Sequence, residues 1–368
     1  MLYCKVKLLL AAVSISVLFT LLYYMKINNN EFSVEVTEKK FLETTQTQKY
    51  EKLYEVNNFH YILSPNGCGN DSNIEALIIV TSYFGNVETR SAMRRAFSQD
   101  DLKQINLKRV FLLGTAPLDK YTTQASIENE NLRFGDLVQG SFVEAYKNLT
   151  YKHTMGIKWA SENCRYANYI IKMDDDTVVN IERIPTLLKS LKLSKKSKYF
   201  IAGYVLRNMV PIREPANKWY VTKEEYELSY YPTFVSGWFY ITTPKTAEQL
   251  YKLSQNTKYF WIDDTFITGI LAQQLQIKHF DISKYFAVHS EYMECCLDDI
   301  RSKNLNCDVI IGPNGGNNNL FYEFNNAISI CNLHLCKNRT KPLEDTCVAK
   351  KTFHLGKGQP LVKTYQLH

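Results

Sequence analysis

Residues 63–368 of this 368-residue chain predict an α/β domain with a largely parallel sheet, on three observations. The composition is that of a globular protein, with 45% hydrophobic and 22% charged residues. Strand-like and helix-like runs alternate from Ala76 onward, the signature of βαβ units. One strand-like run, ending at Met173, leads directly into three consecutive aspartates, Asp174, Asp175 and Asp176. In such sheets ligands bind at the carboxyl ends of the strands, so the triplet stands where a phosphate-bearing ligand would be expected.

The first 62 residues are of a different kind. Leu8 to Met25 are eighteen uncharged, mostly apolar residues, flanked by Lys5 and Lys7 before and Lys26 after. That length spans a bilayer. A cleaved leader would have a shorter apolar run and a small-x-small exit, whereas this one ends in Leu-Leu-Tyr-Tyr-Met-Lys. Lysines ahead of the span keep residues 1–7 cytosolic and send the remainder across the membrane, with Tyr23 and Tyr24 at the far interface. Residues 26–62, rich in Asn, Glu, Thr, Gln and Lys, bury little and read as a stem.

Within the domain, strands are expected at Ala76–Phe84, 108–114, 136–142, 168–173, 199–206 and, interrupted by Pro232 and Gly237, 230–242. Helices are expected at Val87–Ser98, around 123–132, at 149–162, at 184–193, and from Asp263 or Asp264 to about Gln276. The sequence beyond Asn314, rich in Asn and Cys, yields no element.

The net charge of +7 falls to +4 once Lys5, Lys7 and Lys26 are set aside, too mild to argue for a nucleic-acid partner. Beyond Cys4 eight cysteines remain, an even number that in an oxidising compartment predicts disulfides without fixing their pairing. The spacing of Cys331, His334 and Cys336 matches no standard zinc pattern. Asn70, Asn148 and Asn338 each begin a glycosylation sequon.

Strand alternation would put Asp174 and Asp176 on one side, a hard oxygen site suited to Mn²⁺ or Mg²⁺ bridging to phosphate. The alternative is an acidic solvated turn. An EF-hand does not fit, because Val178 and Val179 follow the aspartates, and the same valines break a DDxxD diphosphate motif. At Asp263-Asp264, helix capping accounts for one carboxylate and not for two beside Trp261.

Several blocks, in order over residues 75–290, resemble the inverting β1,3-glycosyltransferases, which include β1,3-galactosyltransferases, β1,3-N-acetylglucosaminyltransferases and, more distantly, fringe. Thr89 to Phe97 resembles the R-x-x-I-R-x-T-W block, and Phe111-Leu112-Leu113-Gly114 the F-x-x-G strand. Gly135-Asp136-Leu137 through Asn148-Leu149-Thr150-Tyr151-Lys152 resembles the D-(I/L) … Y-x-N-L-T-x-K block. Lys172 to Asp176 matches K-x-D-D-D, Lys218-Trp219-Tyr220 with Tyr231-Pro232 … Gly237 resembles K-W-Y … Y-P-x-Y-x-x-G, and Asp263-Asp264-Thr265 stands in for E-D-V.

The resemblance implies a GT-A type fold behind one transmembrane helix, a UDP-sugar donor, a glycan acceptor on protein or lipid, Mn²⁺ (or Mg²⁺) and a Golgi membrane location. It implies Asp264 as the base on the acceptor hydroxyl and Asp174 and Asp176 as metal ligands, with His289, ahead of His279, as the third. Arg90 and Arg94 are expected either to touch the nucleotide or to pair with acids, and Lys172 and Asp175 to help hold the donor. Trp219, Tyr231, Gly237, Trp238, Phe239 and Asp263 are expected around the acceptor or sugar. Two departures stand out: Phe97 replaces a Trp, and Phe239 occupies a position often held by Gly, where a ring is expected to narrow the sugar pocket. The rival of another class is a non-catalytic, transferase-like chaperone or lectin, which would be expected to have lost one of Asp174, Asp176 and Asp264; all three are present. A metal-dependent phosphohydrolase gives the blocks around Trp219 and Tyr231 no role.

Overall fold

The computed structural model describes residues 59–69, 74–116, 121–194, 199–353 and 361–366. The expected tail, membrane anchor and nearly all of the stem, together with Asn70, lie outside the described residues. Among the described residues no helix is long and apolar enough to cross a membrane.

The body is a mixed eight-stranded sheet with helices on both faces. Its strands are β1 (Tyr61–Leu63), β2 (Ala76–Thr81), β3 (Leu107–Thr115), β4 (Leu137–Val143), β5 (Tyr169–Asp174), β7 (Phe200–Leu206), β8 (Phe234–Thr242) and β9 (Lys278–Asp281), while β6 (Thr177–Val179) pairs apart from it with β10 (Ile311–Pro313). The order across the sheet is β1-β4-β3-β2-β5-β8-β7-β9. β4, β3, β2 and β5 run parallel, as expected, whereas β8 is antiparallel to both β5 and β7. β1 pairs with β4, so the folded body takes in residues before position 63, the expected domain start. A small hairpin, β11 (Val348–Phe353) with β12 (Leu361–Gln366), follows.

The strand sequences explain the two-sided burial. Every residue of β2, Ala-Leu-Ile-Ile-Val-Thr, is buried, because a parallel strand with helices on both faces needs apolar side chains in both directions. Ile78, Val80, Ile171 and Met173 pack on one face with the helices Val87–Ala96, Ser290–Lys303 and Asn319–Leu333. Leu77, Ile79 and Ile170 pack on the other with Leu149–Asn163 and Pro244–Ser254. Each such aliphatic side chain contributes about 1.5–3 kcal/mol by leaving water.

All eight cysteines beyond Cys4 pair, as Cys68–Cys164, Cys295–Cys347, Cys296–Cys307 and Cys331–Cys336. The last bridge leaves no thiols for a zinc site at Cys331 and Cys336.

Candidate functional site

From β2 the chain builds outward through β3 and β4, then returns to add β5 on the other flank of β2. That reversal leaves a crevice at the carboxyl ends of β2 and β5, the usual ligand position in an open α/β sheet. A cleft of about 630 Å³ opens there. Its floor includes Ser82 after β2 and the aspartate triplet after β5, and its far wall includes Trp219, Trp261, Asp263 and Asp264.

β5 ends at Asp174, and Asp175 and Asp176 form a tight turn into β6. The alternation expected to align Asp174 with Asp176 therefore stops one residue into the triplet. Each carboxylate has its own setting. Asp174 Oδ1 accepts from the buried Lys172 ammonium at 2.6 Å, so Lys172 is committed to Asp174 and to the Gly237 carbonyl rather than exposed for a ligand. Asp175 Oδ2 accepts from Ser82 Oγ at 2.7 Å and Asn86 Nδ2 at 2.9 Å, tying the turn to β2 and the first helix. Asp176 is exposed, and among the described residues no lysine or arginine pairs with it. Although its side chain reaches solvent, the surrounding cleft walls withhold enough water from Asp176 to push it above the usual carboxylate range, and the charge on Asp175 adds to the effect.

The pair at the far wall is held by a different logic. Asp263 Oδ2 lies 2.8 Å from His153 Nδ1, and against the cost of burial this contact holds its carboxyl down at about 2. Burial and the charge on Asp263 push neighbouring Asp264 up to about 6. Asp264 Oδ1 accepts from the Thr265 amide at 2.7 Å and Oδ2 from the Gly237 amide at 3.2 Å. Gly237 is required for that approach, since a Cβ there would stand 3.0 Å from Asp264 Cβ. Behind Asp264 the chain continues as a π-helix, Thr265–Leu271, where a plain α-helix was expected; Thr268 Oγ donates within 2.7 Å of the Val235 and Asp264 carbonyls. Two adjacent carboxylates thus reach opposite protonation behaviour, and Asp264 is the one suited to take a proton near neutral pH.

Trp219, Gly237, Trp238 and Asp263 line the cleft as expected. Others do not. Arg90 is fully buried and Arg94 nearly so; both grip Glu130, and Arg94 also grips Asp136 at 2.7 Å. Of the two roles foreseen for these arginines, pairing with acids is the one observed. Phe239 points away from the cleft into the opposite core, its ring 5.9 Å from Phe286, so it does not narrow a sugar pocket. Phe239 shares that core with Ile241, while Tyr240 between them packs in the other. Tyr231 is buried against Tyr226 and Phe260 and lies outside the cleft lining. His289, exposed at the start of the Ser290–Lys303 helix, is not among the lining residues. His279 Nε2 is bonded to the Thr268 carbonyl at 2.7 Å. Among the described residues no group of three His, Cys, Asp or Glu closes into a metal site. Asn148 Nδ2 donates to the Val143 carbonyl and Thr150 is buried on the Phe260 carbonyl, so packing accounts for that sequon; Asn338 is exposed.

Sequence reasoning missed His153, and it placed Lys152 in a motif without a role at the site; the Lys152 ammonium pairs with Glu144 at 2.8 Å and bonds the Ser82 carbonyl at 2.5 Å. Both sit on the Leu149–Asn163 helix, where a Lys-His pair among buried neighbours was the available signal.

Comparison with known proteins adds an independent line. Beta-1,3-galactosyltransferase 5 of Pan troglodytes is 34% identical over 203 residues, 55% of this chain and 66% of that protein. Beta-1,3-galactosyltransferase 2 of Homo sapiens is 32% identical over 222 residues, 60% of this chain and 52% of that protein. Beta-1,3-galactosyltransferase 1 of Mus musculus is 32% identical over 241 residues, 64% of this chain and 72% of that protein. For the first two, this chain spans just under two thirds and about half of the relative's length. The galactosyltransferase family profile matches residues 88–283, more than half of the chain, including the aspartate triplet and Asp263-Asp264 of the cleft, and the chain therefore belongs to the galactosyltransferase family.

Proposed function

We propose that the cleft transfers galactose or an N-acetylhexosamine from a UDP-sugar, with inversion and in β1,3 linkage, to a glycan on protein or lipid. The observation that carries this reading is the split pair, Asp264 near 6 beside Asp263 near 2, at the wall of a cleft whose floor is the aspartate triplet. Asp264 takes the proton of the acceptor hydroxyl as that oxygen bonds to the anomeric carbon, while the bond from that carbon to the diphosphate breaks and UDP leaves from the opposite face. One displacement inverts the configuration. Family membership and the names of the relatives support the sugar-transfer chemistry.

The donor set fits a hard divalent cation in one respect: Asp176 is an exposed carboxylate that forms no salt bridge among the described residues, Lys172 acting on it only from a distance. Asp176 would hold Mn²⁺ or Mg²⁺, with Asp174 steadied by Lys172 beside it, and His289, foreseen as the third protein ligand, has no place in the cleft lining from which to join them. Such an ion, when bound, supplies positive charge for the leaving diphosphate. Trp219 and Trp238 would face the sugars. The chain as a whole is proposed to be a GT-A type, type II Golgi membrane protein: residues 1–7 cytoplasmic, 8–25 a signal anchor, then a lumenal stem from residue 26 that ends ahead of β1, and the folded body beyond it lumenal as well.

The test is a screen of UDP-sugars against the purified chain, with and without Mn²⁺, reading sugar transfer to glycan acceptors. Transfer from one donor that disappears on chelation is expected. No transfer from any UDP-hexose or UDP-N-acetylhexosamine, with the acidic set intact, would favour a binding protein instead.

A further inference from the structure

His153 has no exit to solvent. It is fully buried on the Leu149–Asn163 helix, with Nδ1 2.8 Å from Asp263 Oδ2 and Nε2 2.6 Å from the Tyr240 hydroxyl. Tyr240 is itself fully buried on β8, where it pairs across the ladder with Lys172. A buried phenol keeps its proton, and a neutral imidazole has one donor and one acceptor nitrogen. The assignment that satisfies every group has the Tyr240 hydroxyl donating to Nε2 and Nδ1–H donating to Asp263. The same burial holds the His153 imidazole below its ordinary value, consistent with a neutral ring at pH 7.

From this geometry we propose that His153 is a positioning residue for the reaction: locked between Tyr240 and Asp263, it keeps Asp263 ionised and oriented directly behind the base Asp264. The proposal rests on the reading of the cleft as a transfer site. Asp263 is next to Asp264 in the chain, and its fixed negative charge adds to burial in keeping Asp264 a competent proton acceptor instead of a strong acid. The chain Tyr240–His153–Asp263 thus acts on the base through space, without touching a substrate. Other titratable groups facing the pair are Lys172 and Asp174 from the sheet and Tyr146, Tyr231 and Tyr259 from the surrounding segments. The tyrosines stay neutral over the working range, and Lys172 and Asp174 bond to each other. His153 is therefore the group that distinguishes Asp263 from Asp264.

The test combines two readouts on the full chain. In [¹⁵N]histidine-labelled protein at pH 7, one ring signal, absent from His153→Phe, is expected to report a neutral imidazole protonated at Nδ1. In kinetics, His153→Phe is expected to lower kcat by roughly ten- to a hundredfold, the usual cost of losing a hydrogen-bonded orienting partner. It should also move the acidic limb of kcat/KM to higher pH, because Asp263, deprived of its donor, competes with Asp264 for a proton and the pair as a whole takes up its first proton at higher pH. UDP affinity should stay at the wild-type value. His153→Asn, whose amide nitrogen can stand where Nδ1 stands, is expected to recover most of both losses. A cationic ring, or one protonated at Nε2, overturns the proposal. So does a His153→Phe variant with an unmoved limb, and so does a loss not recovered by Asn that comes with weakened UDP binding. A wild type that transfers no sugar overturns the reading of the cleft and takes the positioning role with it; an active wild type with an unaffected His153→Phe overturns the role alone.

Discussion

Two clusters of buried charge lie on either side of β2, and they are finished to different degrees. Under the first helix, Arg90 uses all of its N–H groups, on both Glu130 oxygens, Ser82 Oγ and the Tyr83 and Phe84 carbonyls. Arg94 closes the cluster onto Glu130 and Asp136, and against the cost of burial the two arginines hold the Glu130 carboxyl below its ordinary value. At the cleft, Asp174 and Asp264 are pushed upward by burial, and Asp176 meets no lysine or arginine among the described residues. Charges that are fully answered keep a fold in one arrangement; charges left short are available to a ligand, at some expense in stability.

That contrast can be broken first where the charges are complete. Glu130→Ala would leave two buried arginines without their shared acid, and a loss of about 3–5 kcal/mol is expected, read as a lowered midpoint in urea denaturation. A variant of wild-type stability would show that the network is not the closed one described. At the cleft the effect should fall on turnover instead. Asp264→Asn is expected to reduce transfer by roughly a hundredfold or more, the scale of general-base loss. Its sign for stability is opposite. Because the folded carboxyl sits above its ordinary value, ionisation costs the fold stability as pH rises from about 4 through 6. Without ligand, Asp264→Asn should therefore melt at or above wild type at pH 8, with the difference closing by pH 4. Asp263→Asn is the control, and a larger loss of transfer there would mean the base is the other carboxylate. The smallest change is expected in Asp176→Ala: UDP affinity in Mn²⁺ weakened about tenfold or more, with metal-free affinity and melting temperature unchanged. Equal UDP affinity of variant and wild type in Mn²⁺ would remove Asp176 from the metal site.

The parallel half of the sheet was legible because β2, β3 and β5 are buried on both faces and read as unbroken apolar runs between helical stretches. The antiparallel entry of β8 was not, since a buried strand looks the same in either direction. Asp174 to Asp176 and Asp263-Asp264 were visible because consecutive carboxylates beside apolar strands and a tryptophan are costly by themselves. Phe239 went astray, and Arg90 and Arg94 were left open between two roles, for one reason: a block of sequence gives residues in order but not the side of the element on which each falls. His153 was invisible because its partners, Asp263 and Tyr240, are 110 and 87 positions away. The helices Pro244–Ser254, Ser290–Lys303 and Asn319–Leu333 went unnoticed, the last among Asn and Cys residues that resemble a loop.

The π-helix behind Asp264 has a consequence for how this wall came to exist and how it can be edited. A π-turn holds one residue more than the α-turn it replaces, and such turns are kept chiefly where something depends on the offset. Each residue of an α-helix advances the chain by about 100°. Deleting one residue within Thr265–Leu271 would let the segment rewind as an α-helix and swing whatever precedes it through about that angle, carrying Asp263 off His153 and Asp264 off Gly237 together. The wall is therefore far less tolerant of a one-residue deletion than of a side-chain exchange, and its chemistry is written in the length of the segment as much as in its letters.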